Sequence, residues 1–307
     1  MFNFIALTRI SFQKLFPKGR INIYLRFENN KLLTSLNEKV SILGCGWYGL
    51  PLSKRLVNEG CVVKGSSTRI SKLGEIALSG AIPFHIALTV GKEEPRIDDF
   101  FRCDTLIVTI PPPRMQGVND WHLLIHRMIA DRAIKNGVKK VVLISSTSVY
   151  PKDLDIATEE DATYVESTHS KVKMLAIEDC YRNKESFSTL VLRPGGLIGP
   201  DRHPAKFLSS ANAITDGKSK VNMIHRDDLI AATVHLLKHN LTGEFNICAP
   251  SHSTREDFYK AAFESVGKVS PESDGLKNAT REVSSKKLIE TGFKFQFGDL
   301  IDWLLSD

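Results

Sequence analysis

The chain has 307 residues, 42% of them hydrophobic and 25% charged, the balance of a folded globular protein with room for one large or two modest units. Its net charge of +6 is uneven: Arg9, Lys14, Lys18, Arg20 and Arg26 stand among residues 1–27 without a single acid, so the remainder is nearly neutral. That excludes a bulk nucleic-acid-binding signature for the body, and no apolar run reaches membrane-spanning length, so neither nucleic acid nor membrane is expected as a partner.

Residues 1–36 read as a basic N-terminal extension. They are either an organelle-targeting segment, an upstream extension or an extra amphipathic element. The five cysteines are scattered without metal or disulfide spacing, which fits a reducing, cytoplasmic setting; an organelle is the alternative if the extension is a transit peptide. No metal site is expected, because the nine histidines form no metal-binding motif.

The apolar run Val40–Leu43 enters Gly44-Cys45-Gly46-Trp47-Tyr48-Gly49, and a helical pattern follows. Glycines spaced G-x-G-x-x-G between a strand and a helix form a dinucleotide fingerprint. Gly44 serves the tight turn, Gly46 leaves room for a pyrophosphate and Gly49 lets helix and strand approach. The helix N-terminus offers free N–H groups to phosphate. Gly44, Gly46, Trp47, Tyr48 and Gly49 are therefore candidate cofactor residues.

Residues 61–65 form the second strand. An NAD site would place an acid near its end, but the chain reads Lys64-Gly65-Ser66-Ser67-Thr68-Arg69. Arg69 can fork onto a 2′-phosphate, with Ser67 or Thr68 adding hydroxyls, so NADP(H) is preferred and NAD(H) is the alternative. Arg69 can also be read as a solvated residue. A short helix over 71–80 and a strand over 81–86 follow, with Pro83 suiting a sheet edge. The strand 104–110 is nearly all apolar, as a sheet covered on both faces requires, and ends in three prolines. Pro111 and Pro112 either wall the nicotinamide half or merely stop the strand. A helix over 118–136 and a strand over 141–144 lead to Ser145-Ser146-Thr147-Ser148-Val149-Tyr150, hydroxyls at a strand's carboxyl end.

An acidic loop over 151–165 precedes a helix from about 167 to 183, and residues 187–193 form the sixth strand. Beyond it Arg202 and His203 sit in a polar loop, residues 205–215 look helical, and a short strand over 221–225 carries His225 into a helix. Arg202, His203 and His225 are candidate substrate residues; His225 reads equally well as a structural histidine. Further on come a strand over 244–247 and a helix through Phe263. Phe293, Phe295 and Phe297 alternate as in a half-buried strand. The fold class is α/β: a doubly wound parallel sheet with a small C-terminal substrate lobe. Residues 37–195 form the nucleotide core, and 196–307 form mostly the substrate side, with elements returning to the core.

Together, the glycine motif, Ser145–Tyr150, Arg193-Pro194-Gly195-Gly196-Leu197-Ile198-Gly199-Pro200 and Asn222–Asp228 resemble the extended and atypical short-chain dehydrogenases/reductases, similar to NAD(P)-dependent epimerases and dehydratases. That family works with a serine or threonine, a tyrosine and a lysine, the last two as Tyr-x-x-x-Lys on the helix after the fifth strand. The resemblance puts Ser146 on the hydroxyl and Lys173 on the lysine, which also holds the nicotinamide ribose. The tyrosine position falls on His169, a departure. His169 is a proton donor, a substrate contact or an ordinary polar helix residue. The expected function is an NAD(P)-dependent oxidoreductase or epimerase/dehydratase-like enzyme acting on a small polar or sugar-like carbonyl. The alternative is a noncatalytic NAD(P)-binding redox sensor or scaffold. The resemblance also implies a homodimer through the helices flanking the fifth strand.

Overall fold

The computed structural model describes residues 26–28, 31–33, 36, 38–91, 96–111, 119–151, 154–164, 169–208, 213–276 and 281–306. Seven parallel strands form the central sheet: β1 (Lys39–Leu43), β2 (Val62–Ser67), β3 (Ile82–His85), β4 (Thr105–Val108), β5 (Lys140–Ile144), β6 (Ser188–Pro194) and β7 (Gly243–Ile247). Their spatial order is 3-2-1-4-5-6-7. The helices are α1 (Gly49–Asn58), α2 (Leu73–Leu78), α3 (Ile97–Phe101), α4 (Asn119–Lys135), α5 (His169–Arg182), α6 (Arg226–Lys238), α7 (Arg255–Glu264), α8 (Lys286–Glu290) and α9 (Leu300–Leu305).

Neighbouring residues of each central strand serve opposite cores. Leu106, Val108, Val141 and Leu143 pack with Ile125, Ile129 and Leu175 of α4 and α5. Ile42, Ile107, Val142 and Leu190 pack with Leu52 and Leu56 of α1 and Leu229 of α6. Burial on both faces is why these strands read as continuous apolar runs. Among the described residues β3, with Pro83, pairs only with β2 and so lies at the sheet edge, where a missing N–H costs no ladder bond.

A third core gathers the C-terminal elements, Ile198, Phe258, Ala262, Leu300 and Leu304 among them. Here Gly196–Ile198 pairs with Met223–His225, and Ala213–Ile214 with Glu272–Ser273. Two local expectations change. The stretch expected to be helical from 205 to 215 holds a 3-10 turn over Pro204–Leu208 and a short strand at Ala213–Ile214. The alternating aromatics at 293, 295 and 297 form no strand, because the N–H groups of Gln296 and Phe297 donate instead to the Asp228 carboxylate, both at 2.8 Å.

The strand order reverses between β2–β1 and β4–β5, so the connections leaving β1 and β4 diverge and open a crevice at the strands' carboxyl ends. Gly44, Thr109, Ser145 and Gly195 stand there as the residues just after β1, β4, β5 and β6.

Candidate active site

The three glycines meet three different requirements. Gly44 has φ +109°, and a Cβ on it would lie 2.6 Å from Thr109 Oγ1. The turn is held by Gly44 N–H donating to Ser66 Oγ and Cys45 N–H donating to the Ser66 carbonyl, at 3.1 and 2.7 Å. Gly49 has no room: its Cβ would sit 2.3 Å from the Gly44 carbonyl oxygen. Gly46 is the opposite case, exposed and with nothing within 4 Å of a would-be Cβ. The lack of a side chain there answers no packing demand and leaves the space beside its Cα open to a ligand. Among the described residues no side chain caps the N-terminus of α1, and its first turn carries no acid, which leaves N–H donors and positive potential for an anion.

Two cavities meet at this turn, with Gly46 and Trp47 lining both. The smaller, about 650 Å³, is bordered by Lys54, Arg69, Lys72 and Arg226 against Glu75 and Asp201. Lys72 is spoken for by Glu75 at 2.6 Å and Arg226 by Asp227 at 3.1 Å. Arg69 and Lys54 have no ion-pair partner among the described residues, and Arg69 is exposed just beyond Ser67, whose Oγ accepts from the Arg69 N–H. Thr68 is exposed beside them. This cluster can accept a phosphate.

The larger cavity, about 920 Å³, runs along Thr109, Ile110 and Pro111 to Ser145, Ser146 and Ser148, with Pro194–Leu197 and Arg202 on its far side. Ser146 caps the 3-10 turn over Thr147–Val149: its Oγ accepts the Ser148 N–H at 3.1 Å. Because that bond uses a lone pair, the Ser146 hydroxyl hydrogen stays available to a ligand oxygen. Ser145 is buried, and its hydroxyl donates to Glu178 Oε1 at 2.6 Å. Glu178 in turn receives two bonds from Arg193, at 3.0 and 2.8 Å. Arg193 also donates to the Tyr150 hydroxyl and the Glu159 carbonyl, and Tyr150 donates to Asn246. Burial and proximity to arginine thus combine in one network that fixes the end of β5 against α5, β6 and β7.

Trp47 and Tyr48 part company. Thr233 gives its hydroxyl hydrogen to the Leu229 carbonyl, so Tyr48 donates to Thr233 Oγ1, at 2.7 Å, and its ring is buried against α6. Trp47 turns to the C-terminal elements. Its indole N–H donates to the Pro200 carbonyl at 3.2 Å, and the guanidiniums of Arg202 and Arg226 stand 5.5 and 5.0 Å from its ring. Of the three candidate substrate residues only Arg202 lines the cavity. His203 is held by Ala205 and Ser265. His225 is buried, caps α6 by accepting the Asp227 N–H, and stacks with Phe297 and Trp303 at 4.0 and 4.9 Å. The backbone of α5 carries His169 and Lys173, but their side chains, like the whole of Pro112, lie outside the described residues.

A histidine pair forms part of the cavity wall. His122 and His126, one turn apart on α4, are 4% and 1% exposed. Their Nε2 atoms lie 3.2 Å apart, and His126 Nδ1 is 2.8 Å from the Tyr181 hydroxyl. Burial, aided by the neighbouring His122, pushes His126 down from 6.5 to about 3. A histidine that refuses its proton when folded but accepts it when unfolded adds stability above the unfolded value, and that stability is lost as pH falls toward the folded value. Melting experiments are expected to show stability declining from about pH 6.5 to about pH 3, this group contributing up to about 1.4 kcal/mol per pH unit. His126→Gln should flatten that decline; an unchanged slope would remove His126 from the account.

The profile of the NAD dependent epimerase/dehydratase family matches residues 116–248. Protein YeeZ of Escherichia coli K12 is 30% identical over 268 residues, covering 85% of this chain and 97% of that protein. The chain belongs to the NAD(P)-binding epimerase/dehydratase family. Two solved structures with bound NAD share the fold. A superfamily protein from Agrobacterium tumefaciens with bound NAD superposes at TM-score 0.70, with 15% identity over 87% of this chain and 94% of that one. The Bordetella bronchiseptica enzyme WbmG in complex with NAD and UDP gives 0.70, with 18% identity over 88% and 93%. Among the described residues that line the larger cavity the only tyrosine is Tyr48, whose hydroxyl donates to Thr233.

Proposed function

We propose that the protein is an NADP-dependent oxidoreductase or epimerase/dehydratase-like enzyme for a small polar or sugar-like carbonyl compound. The observation that carries this reading is Gly46, with open space where a Cβ would stand, at the junction of two cavities of unlike chemistry. The basic cavity suits the adenosine end, the α1 N-terminus the pyrophosphate, and the larger cavity the nicotinamide and substrate. The NAD held by the Agrobacterium protein, and the NAD and UDP held by WbmG, support the assignment of ligand class. When bound, the nicotinamide supplies or accepts a hydride. Ser146 orients the substrate oxygen with its free hydroxyl hydrogen. Lys173, assigned through the family pattern, holds the nicotinamide ribose, and His169 stands where the family's proton-donating tyrosine would. Arg202 pairs with an anionic part of the substrate. Residues 196–307 are read as the substrate side of the cleft, α4 and α5 as a homodimer face, and the cytoplasm as the setting, which five buried, unpaired cysteines support.

The NADP assignment rests on Arg69 and the absence of an acid at the end of β2. Calorimetric titration should show NADPH binding more tightly than NADH. Removing a charge-assisted contact to the 2′-phosphate costs about 1.5–3 kcal/mol, so Arg69→Ala should weaken NADPH roughly tenfold to a hundredfold and leave NADH nearly unchanged. Equal affinities in the parent protein would end the NADP reading.

One observation favours a second reading, a noncatalytic nucleotide-binding sensor: the cavity offers no free phenol among the described residues. A turnover screen over ketones, aldehydes and sugar nucleotides, run on the parent, His169→Ala and His169→Tyr, separates the two. As proton donor, His169 should lose roughly 10²–10⁴-fold in rate on truncation to alanine. Tight NADPH binding without turnover across the panel would favour the sensor.

A further inference from the structure

We propose that His122 is a tautomer-locked, neutral hydrogen-bond donor to an oxygen of the ligand in the larger cavity. The inference rests on the reading of that cavity as the nicotinamide and substrate end of a nucleotide site.

The lock follows from counting hydrogens along one buried chain. Tyr181 on α5 is fully buried, and its hydroxyl has His126 Nδ1 as its one hydrogen-bond partner among the described residues. A buried O–H needs an acceptor, so Tyr181 donates and His126 Nδ1 accepts. A neutral imidazole that accepts at Nδ1 carries its hydrogen at Nε2. His126 Nε2–H therefore points at His122 Nε2, 3.2 Å away, and His122 must accept there. The hydrogen of His122 is then on Nδ1, which has no hydrogen-bond partner among the described residues, while the ring lines the cavity beside Leu123, Met174 and Ile177. An N–H donor of a ring that lines the cavity, with no protein acceptor among the described residues, is there to be met by an acceptor that a ligand brings.

The same chain shows why His122 donates a hydrogen bond and not a proton. Burial lowers the proton affinity of both imidazoles, so the pair favours the neutral form where an ordinary histidine is half charged. Losing the Nδ1 proton would leave an imidazolate, or pass the negative charge to Tyr181, whose phenol is pushed far above its usual range by burial. Neither end of the chain can take that charge. A fixed, uncharged donor is suited to holding a carbonyl oxygen in place and to stabilising negative charge as it develops there.

The oxygen could belong to the nicotinamide half of the nucleotide or to the substrate carbonyl, and the experiment separates them. Full-length protein labelled with ring-¹⁵N histidine is observed by long-range ¹H–¹⁵N correlation, with NADPH affinity followed by calorimetry. Expected in the free protein above pH 6.5 are neutral rings, His126 protonated on Nε2 and His122 on Nδ1, both titrating below the ordinary histidine value. NADPH should shift the His122 Nδ1 resonance while 2′-phospho-ADP-ribose, which lacks the nicotinamide, should not; this outcome assigns the oxygen to the nicotinamide half. A shift seen only when a turned-over carbonyl compound is added assigns it to the substrate. Tyr181→Phe should release the lock, so that His122 populates both tautomers. If Tyr181 matters only for packing, that variant leaves the His122 tautomer alone, and the lock is refuted. Finding His122 protonated on Nε2, or an Nδ1 resonance unmoved by NADPH and by every carbonyl compound turned over, overturns the proposal while nucleotide binding stands. Failure of the parent protein to bind NADPH overturns the nucleotide reading, and the tautomers are still read in the free protein.

Discussion

Gly46→Val is expected to abolish nucleotide binding and to leave the protein folded. The two effects separate because of what surrounds each glycine. A Cβ at Gly46 meets no atom within 4 Å, so the folded chain tolerates it. The space it fills is the space the pyrophosphate needs, and two γ-methyls would also cover the donors at the start of α1. Gly49→Val should behave in the reverse order, since its Cβ would lie 2.3 Å from a backbone carbonyl of the same turn. Calorimetry with NADPH and a thermal melt on both variants test the pair. Gly46→Val should lose at least about a hundredfold in affinity, roughly 2.7 kcal/mol, with melting close to the parent. Parent-like affinity in that variant would defeat the placement of the pyrophosphate and with it the nucleotide reading.

Much of the sheet was legible because each central strand is covered on both faces. Burial without alternation leaves apolar runs such as Val141-Val142-Leu143-Ile144, bounded by polar residues, that hardly read otherwise. The demands on Gly44 and Gly49 were legible too, since a positive φ and a close backbone approach are each met by one residue type. Directions of side chains within the site were not. Trp47 and Tyr48 are adjacent in the motif, yet one reaches Pro200 and the other Thr233. Sequence places both at the cofactor turn but says nothing of the packing that turns them apart. His225 shows the same limit: Nδ1 caps a helix, a use invisible without Phe297 and Trp303 beside it. His122 and His126 fall four apart on a segment read as helical, which puts both rings on one face. What sequence lacked was that this face looks into the cleft, a fact fixed by the packing of α4 on α5 and β5. Phe293, Phe295 and Phe297 alternate as a strand would, but the donors a strand would spend on a ladder go to Asp228.

Arg193→Met is expected to be among the most destabilising single changes in the chain. Arg193 is 1% exposed and Glu178 not at all, and their fork of two hydrogen bonds is the centre of a network reaching Ser145, Tyr150 and Asn246. Methionine fills most of the volume, so the cost comes from charge, not from a cavity. Glu178 would keep the Ser145 hydroxyl and a distant Arg182 Nη1 at 3.7 Å, which is shared with Glu244 while Nη2 pairs with Asp179. Breaking a buried pair on one side typically costs about 3–5 kcal/mol, against a whole-domain stability of about 5–15 kcal/mol. Removing the second charge should recover most of that loss, because a buried pair holds little net stability relative to well-packed apolar residues. Urea denaturation of Arg193→Met, Glu178→Met and the double variant measures the cycle. The singles should each be several kcal/mol below the parent and the double above both. A single within 1 kcal/mol of the parent, or a double at the sum of its singles, would show that the two side chains do not act as a pair. Ser145 lines the large cavity and takes its position from Glu178, so the cycle also reads the site. The double variant should stay folded and bind NADPH, yet turn over more slowly, since Ser145 has lost Glu178 and Tyr150 has lost Arg193 and keeps Asn246, which loosens the end of β5 beside Ser146.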